Sequence, residues 1–259
     1  GPWGVWNPHT IWVQVVLISG ISFMGYLAMK IAGPQRGASL SGILGGFASS
    51  TAVMLTFSRR SKETPELSGT FIFATLGSSV TSVIRIFMIV FVVDRRLAIA
   101  SLLPLLAIAV VSAVWALVSR RGVRDEDSRD VSVNNPFELR TAFEFAVFYA
   151  AILLVTSAAS EFFGTGGIYV ASLLGGLLRP DAIALSLTGP SFSALDGKVV
   201  VMALTLAIAV NSVFKAFLGA SLGSPAFRRG IVAAHIAAAA AAILVAWLVP
   251  PLAFELPAG

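Results

Sequence analysis

The chain has no cysteine, which excludes disulfides, thiolate metal sites and cysteine nucleophiles. It is also poor in charge. Asp, Glu, Lys and Arg supply 12% of its 259 residues, about half of the roughly 25% found in soluble domains. There are two histidines, His9 and His235, and no residue pattern sets a nucleophile beside a base. Dinucleotide-binding, Walker A, HExxH and nucleophile-elbow motifs are absent from the sequence. No enzyme, no cofactor and no bound metal is expected from such a chain.

What is present is hydrophobic. Apolar residues make up 57% of the sequence, and mean hydropathy is +0.88. Long apolar stretches recur at Ile11–Met29, Ala38–Phe57, Thr70–Val93, Leu97–Val118, Ala142–Ser160, Gly167–Leu187, Val199–Leu222 and Ile231–Val249. A helix needs about 20 apolar residues to cross the hydrocarbon core, and all eight are near that length. Barrel strands would be about 10 residues long with alternating polarity, a pattern not seen here. The expected fold class is an all-α polytopic membrane protein in the inner (plasma) membrane, with the lipid bilayer as its first partner. No cleavable signal peptide is expected before the first helix, where Trp3, Trp6 and Trp12 read as interfacial anchors. The net charge of +5 comes from basic residues flanking apolar segments, so it orients helices rather than pointing to nucleic acid.

The chain is also written twice. Gly37/Gly167, Leu44/Leu174, Gly45/Gly175, Gly46/Gly176, Ala52/Ala182 and Leu55/Leu185 share one spacing of 130 residues, which continues through Ser82/Ser212, Val83/Val213, Arg85/Lys215 and Phe87/Phe217. Asn7-Pro8 and Asn135-Pro136 open the two halves. This predicts two four-segment repeats, residues 1–119 and 137–259, joined by a polar linker over residues 120–136 within Arg120–Arg140. Duplication with interrupted segments at matched positions is a signature of many transporters.

The second segment of each repeat decides the topology. Re-entrant second segments put 12 Lys and Arg residues on one side and 3 on the other, whereas eight full crossings give 9 against 6. The charge rule favours inverted repeats with a cytoplasmic linker, although Ala38–Phe57 is also long enough to cross as a broken helix.

Candidate site residues cluster at these breaks. In Gly42–Thr51, GILGGFASST, two adjacent glycines weaken a helix, and Ser49, Ser50 and Thr51 offer hydroxyls and N-caps. A half-helix starting there would aim its positive end into the membrane; alternatively, small residues there let helices pack closely. The matching LGGLLRPDAIALS carries Arg179, Pro180 and Asp181. Proline suits a helix start, and Asp181 in the first turn is either a site carboxylate or a helix cap paired with Arg179. Arg85 and Lys215 are equivalent cations, with Ser82 beside the first and Asn211 beside the second. They either snorkel to the interface or face the gap between the halves. This charge inventory favours an anionic or zwitterionic ligand, or a proton-coupled one. Glu144 reads as an interfacial partner of Arg140 or else a proton or cation carrier. His235 reads as a hydrogen-bonded packing residue, and Gly20 and Gly25 as close-packing positions.

The stretches GPWGVWNPHTIW, VVLISGISFMGYLAMKIAGPQRG, GILGGFASSTAV, SVIRIF, NNPFEL and GLLRPDAIALSL resemble a bacterial and archaeal membrane domain of unassigned function found C-terminal to MgtC/SapB-type domains. The resemblance covers nearly the whole chain. It implies an upstream MgtC/SapB-like domain as a partner and a link to magnesium homeostasis. The family tends to carry an acidic residue before a DA dipeptide; here Arg179-Pro180 precedes Asp181-Ala182, which argues against a divalent-cation site.

Two functions follow as expectations. One is a transport protein for a small ion or solute, possessing a site between the repeats and able to form a homo-oligomer. The other is a non-transporting partner module of an MgtC-like protein, with a dry interface closed by Arg–Asp pairing.

Overall fold

The computed structural model describes residues 7–31, 37–119, 139–189, 192 and 195–251. Among these the chain is helical throughout, with no strand. Its helices are α1 (Pro8–Ile31), α2 (Ala38–Glu63), α3 (Ser68–Val93), α4 (Arg95–Ala100), α5 (Leu102–Ser119), α6 (Leu139–Leu178), α7 (Pro180–Ser186), α8 (Gly197–Leu222) and α9 (Pro225–Leu248). Trp3, Trp6 and the whole polar linker over residues 120–136 lie outside the described residues.

Among the described residues, seven helical stretches are long and apolar enough to cross a membrane. The expected fifth and sixth segments join into one helical stretch, α6, interrupted at Gly164 (φ 56, ψ −141). That left-handed backbone suits glycine, which lacks the Cβ that clashes there. Beyond it the chain folds back, so that a Cβ on Gly167 would overlap the Ala159 carbonyl and lie 2.9 Å from Phe163 Cβ.

Length alone would let α2 cross as one rod, yet it also folds back. Its single non-helical residue is Ser49 (φ −161, ψ 100). A Cβ on Gly45 would lie 2.8 Å from Val53 Cγ2, and one on Gly42 would lie 2.9 Å from Phe57 Cε2. A straight helix would separate those pairs by roughly 12 and 22 Å, beyond side-chain reach. The same turn recurs between α6 and α7 at Arg179 (φ −145, ψ 81), where Gly175 faces Ile183 Cδ1 at 2.5 Å from its would-be Cβ. Each turn has a local cause. Ser49 Oγ accepts from Ala52 N at 3.2 Å, starting a new helix in the manner of an N-cap. Pro180 occupies the first position of α7, where its missing N–H loses nothing.

The glycines before the turns also admit neighbouring helices. A Cβ on Gly46 would overlap Ser78 and Thr81 of α3, and one on Gly176 would overlap Ala207 of α8. Such close approach holds helices together where lipid supplies no hydrophobic drive. Gly25 serves similarly against Phe47, whereas Gly20 has open space around it, contrary to expectation.

The helices meet reciprocally. Within the first half α2 packs on α3 and α3 on α5; within the second α6 packs on α8 and α8 on α9. Between the halves α1 meets α6, α2 meets α8, α3 meets α7, and α5 meets α9. Apolar side chains such as Val92, Leu117, Val118, Trp247 and Leu248 stay exposed at the periphery and contact the bilayer.

Candidate functional site

The fold-backs at Ser49 and Arg179 open onto one cavity of about 480 Å³. Its walls include Ala48–Ala52 from the turn in α2 and Leu177–Asp181 from the turn before α7. Helix α1 contributes Ser19 and Ser22, α3 contributes Ser82 and Arg85, and α8 contributes Asn211 and Phe214. Backbone that leaves a helix at membrane depth needs protein partners or a wet cavity; here the exposed carbonyls find side-chain donors, Arg85 in one half and Asn211 in the other.

Arg85 is the central residue. It is 6% exposed, so it does not snorkel to the surface. Its Nη1 donates to the carbonyls of Phe47 at 2.8 Å and Ala48 at 2.9 Å. Those carbonyls end the first limb of α2, where the turn at Ser49 removes ordinary helical partners. Its Nη2 donates to Asp181 Oδ2 at 2.7 Å, tying α3 of the first half to α7 of the second. Asp181 is 5% exposed and sits in the first turn of α7, where a carboxylate is favoured by the helix dipole. Its partner is therefore Arg85 and not Arg179. The Arg179 guanidinium lies 5.4 Å over the Phe145 ring instead.

Asn211 performs a related task in the second half. Its Nδ2 donates to the Gly176 carbonyl at 3.2 Å and reaches the Leu177 carbonyl at 3.5 Å. Thr81, its equivalent at the 130-residue spacing, donates to the Ile43 carbonyl at 2.9 Å. In each half, a side chain from the following long helix fastens the limb that precedes the turn.

Of the eight residues picked from the sequence, Ser49, Ser50, Thr51, Ser82, Arg85, Asp181 and Asn211 line this cavity. Lys215 does not. It is buried on α8, 4% exposed, with Arg85 and Asp181 as its electrostatic neighbours. Among the described residues it makes no hydrogen bond or ion pair. The 130-residue spacing thus matches two cations that the fold uses differently: Arg85 caps carbonyls, while Asn211 has that role opposite.

Ser19, Ser22, Phe145 and Phe214 were missed. The serines lie three residues apart in an apolar helix whose buried face also carries Gln14, a polar stripe readable in the sequence. The phenylalanines carried no signal in an apolar chain. His235 is buried, with Nδ1 3.0 Å from the Ile231 carbonyl and Nε2 3.2 Å from Ser79 Oγ, as a packing residue should be. Glu144 is exposed; the side chain of Arg140 lies outside the described residues.

Folded-back helices, a polar cavity between packed long helices and an apolar exterior define the class: a polytopic, multi-pass helical membrane protein. Within that class the chain belongs to the family described as Domain of unknown function (DUF4010), which residues 16–223 match. It is 32% identical over 189 residues to an "Uncharacterized protein" of Aquifex aeolicus (strain VF5), covering 71% of this chain and 82% of the relative. No solved structure matches the chain.

Proposed function

We propose that this chain transports a small ion or solute across the plasma membrane, through a site between two inverted repeats. The repeats are residues 1–119 and 137–259, with a cytoplasmic linker over 120–136 and no enzymatic activity. One observation carries the reading: a single polar cavity is walled by both helix turns, Ser49 from one half and Arg179 from the other. Substrate sites in repeat-built transporters sit where interrupted helices meet at a repeat interface.

Several features support the duplication. The two turns are 130 residues apart, as are the pairs Gly45–Val53 and Gly175–Ile183 that fold against each other. Packing of α2 on α8 is mirrored by α3 on α7, the reciprocity expected of units related by a two-fold axis. A second segment that folds back returns to its starting side. That supports the charge split of 12 against 3 and hence inversion.

Among the described residues the cavity wall carries one carboxylate, Asp181, already paired with a cation. Mg²⁺ binds through carboxylates and retained waters, so magnesium is poorly served.

The test is flux into liposomes holding the purified protein, across a panel of Na⁺, Mg²⁺, chloride and small organic ions. Flux of at least one is expected, and folded protein that moves none of them overturns the proposal. The Arg85–Asp181 pair favours a second reading, in which the halves are latched and the domain acts as a non-transporting partner of an MgtC/SapB-like domain. That reading expects co-purification with such a domain and no flux.

A further inference from the structure

The Arg85–Asp181 pair is half made. A guanidinium and a carboxylate commonly join by two parallel hydrogen bonds. Here only Nη2 and Oδ2 meet, while Arg85 Nε and Asp181 Oδ1 are buried without a hydrogen-bond partner. Leaving such groups unmet is unfavourable, so both atoms mark an arrangement that something else completes. The guanidinium itself cannot turn to compensate, because the Phe47 and Ala48 carbonyls hold its Nη1.

The local charge is also incomplete. Among the described residues, two buried cations, Arg85 and Lys215, lie within electrostatic reach of one buried carboxylate, Asp181, and Lys215 makes no ion pair. One further negative charge would balance the group, and buried charge is tolerated only when paired.

Resting on the transport-site reading above, we infer that the cavity takes a small monocarboxylate. Its two oxygens bind Arg85 Nε and Nη2 together, and Asp181 gives up Nη2 and turns toward Lys215. Asp181 is thus a tethered stand-in for the ligand, holding the Arg85 edge closed until a carboxylate displaces it. Two cations then face two anions, with no proton gained or lost. Planar two-oxygen anions match the rigid guanidinium fork and spherical halides do not. The hydroxyls of Ser19, Ser22, Ser49 and Ser82 on the wall can bind the rest of a short polar ligand.

The experiment measures stabilisation of the detergent-solubilised protein against heat as acetate, formate or chloride is added at constant ionic strength, since a ligand for the folded state raises the unfolding midpoint. Wild type should be stabilised by acetate and formate and not by chloride. Asp181→Asn should bind acetate roughly tenfold more tightly, because the internal competitor no longer occupies the competent state. Lys215→Gln should bind acetate more weakly although Lys215 lies off the wall, and that loss should shrink in the Asp181→Asn background. Arg85→Lys should lose the preference for acetate over chloride; should that variant not fold, the Asp181 and Lys215 variants decide. Equal response to chloride and acetate, no response to acetate, or an Asp181→Asn affinity at or below wild type overturns the inference. Selective acetate binding without flux keeps it and removes the transport reading; cation flux without acetate binding does the reverse.

Discussion

Val53 lies against Gly45, eight residues earlier in the same helix, because the chain reverses at Ser49. Ile183 and Gly175 repeat the relationship in the other half. A side chain at either glycine must displace a branched residue packed on its own helix. Gly45→Val and Gly175→Val should each destabilise the protein by about 1–3 kcal/mol, the usual range for overpacking. Thermal or denaturant unfolding in detergent measures this, and a change within error would show that the turns are looser than the structure has them.

The reversal also dictates sidedness. The chain contains no cysteine, so single cysteines can be introduced without a background. Lys30, Lys62, Arg96 and Lys198 are all exposed. In sealed vesicles of one orientation, a membrane-impermeant maleimide should label cysteines at positions 30 and 62 from one side and those at 96 and 198 from the other. Labelling of 30 and 62 from opposite sides would mean that α2 crosses the membrane, and the inverted arrangement would be lost.

Arg85 and Asp181 should be strongly coupled. Removing one member of a buried ion pair strands the other, which costs about 3–5 kcal/mol. Arg85→Ala also frees the Phe47 and Ala48 carbonyls, so it should be the more damaging single change. Asp181→Ala on top of Arg85→Ala should add little or recover stability, so the interaction energy in a double-mutant cycle should be about as large as the cost of Asp181→Ala alone, about 3–5 kcal/mol. Simple additivity would mean that the two side chains do not meet.

Asn211 and His235 separate fastening from packing. Asn211→Leu leaves the Gly176 carbonyl without this donor, which should cost about 1–3 kcal/mol and alter any flux, because Asn211 also faces the cavity. His235→Gln keeps a side chain able to hydrogen-bond Ser79 away from the cavity wall. Flux per folded molecule should stay as in wild type, and its loss would assign His235 a functional part.

Much of the site was legible because polar residues are conspicuous in an apolar chain. Ser49, Arg85, Asp181 and Asn211 stood out because charge and hydroxyls at membrane depth need partners, and the repeat brought them into register. Who partners whom was not legible. Asp181 has an arginine two residues away in sequence and pairs instead with one 96 residues away. At that first turn the chain holds Arg179 over Phe145 and turns Asp181 toward α3. The equivalence of Arg85 and Lys215 likewise foretold two like roles, yet only one of the pair found free carbonyls within reach.

The sequence by itself determined the solvent and the secondary structure. Long apolar runs require a bilayer, and a bilayer requires backbone hydrogen bonds to be made within each segment, so helices follow. It also marked where helices weaken, through paired glycines, a serine cap and Arg-Pro. Only the tertiary structure decided that these weak points reverse the chain instead of bending it, and that both reversals share one cavity. The reason is physical: a helix break leaves carbonyls unsatisfied, and which side chain caps them depends on which helix packs alongside. Arg85 does so for one half and Asn211 for the other, and that difference leaves Lys215 buried without an ion pair among the described residues.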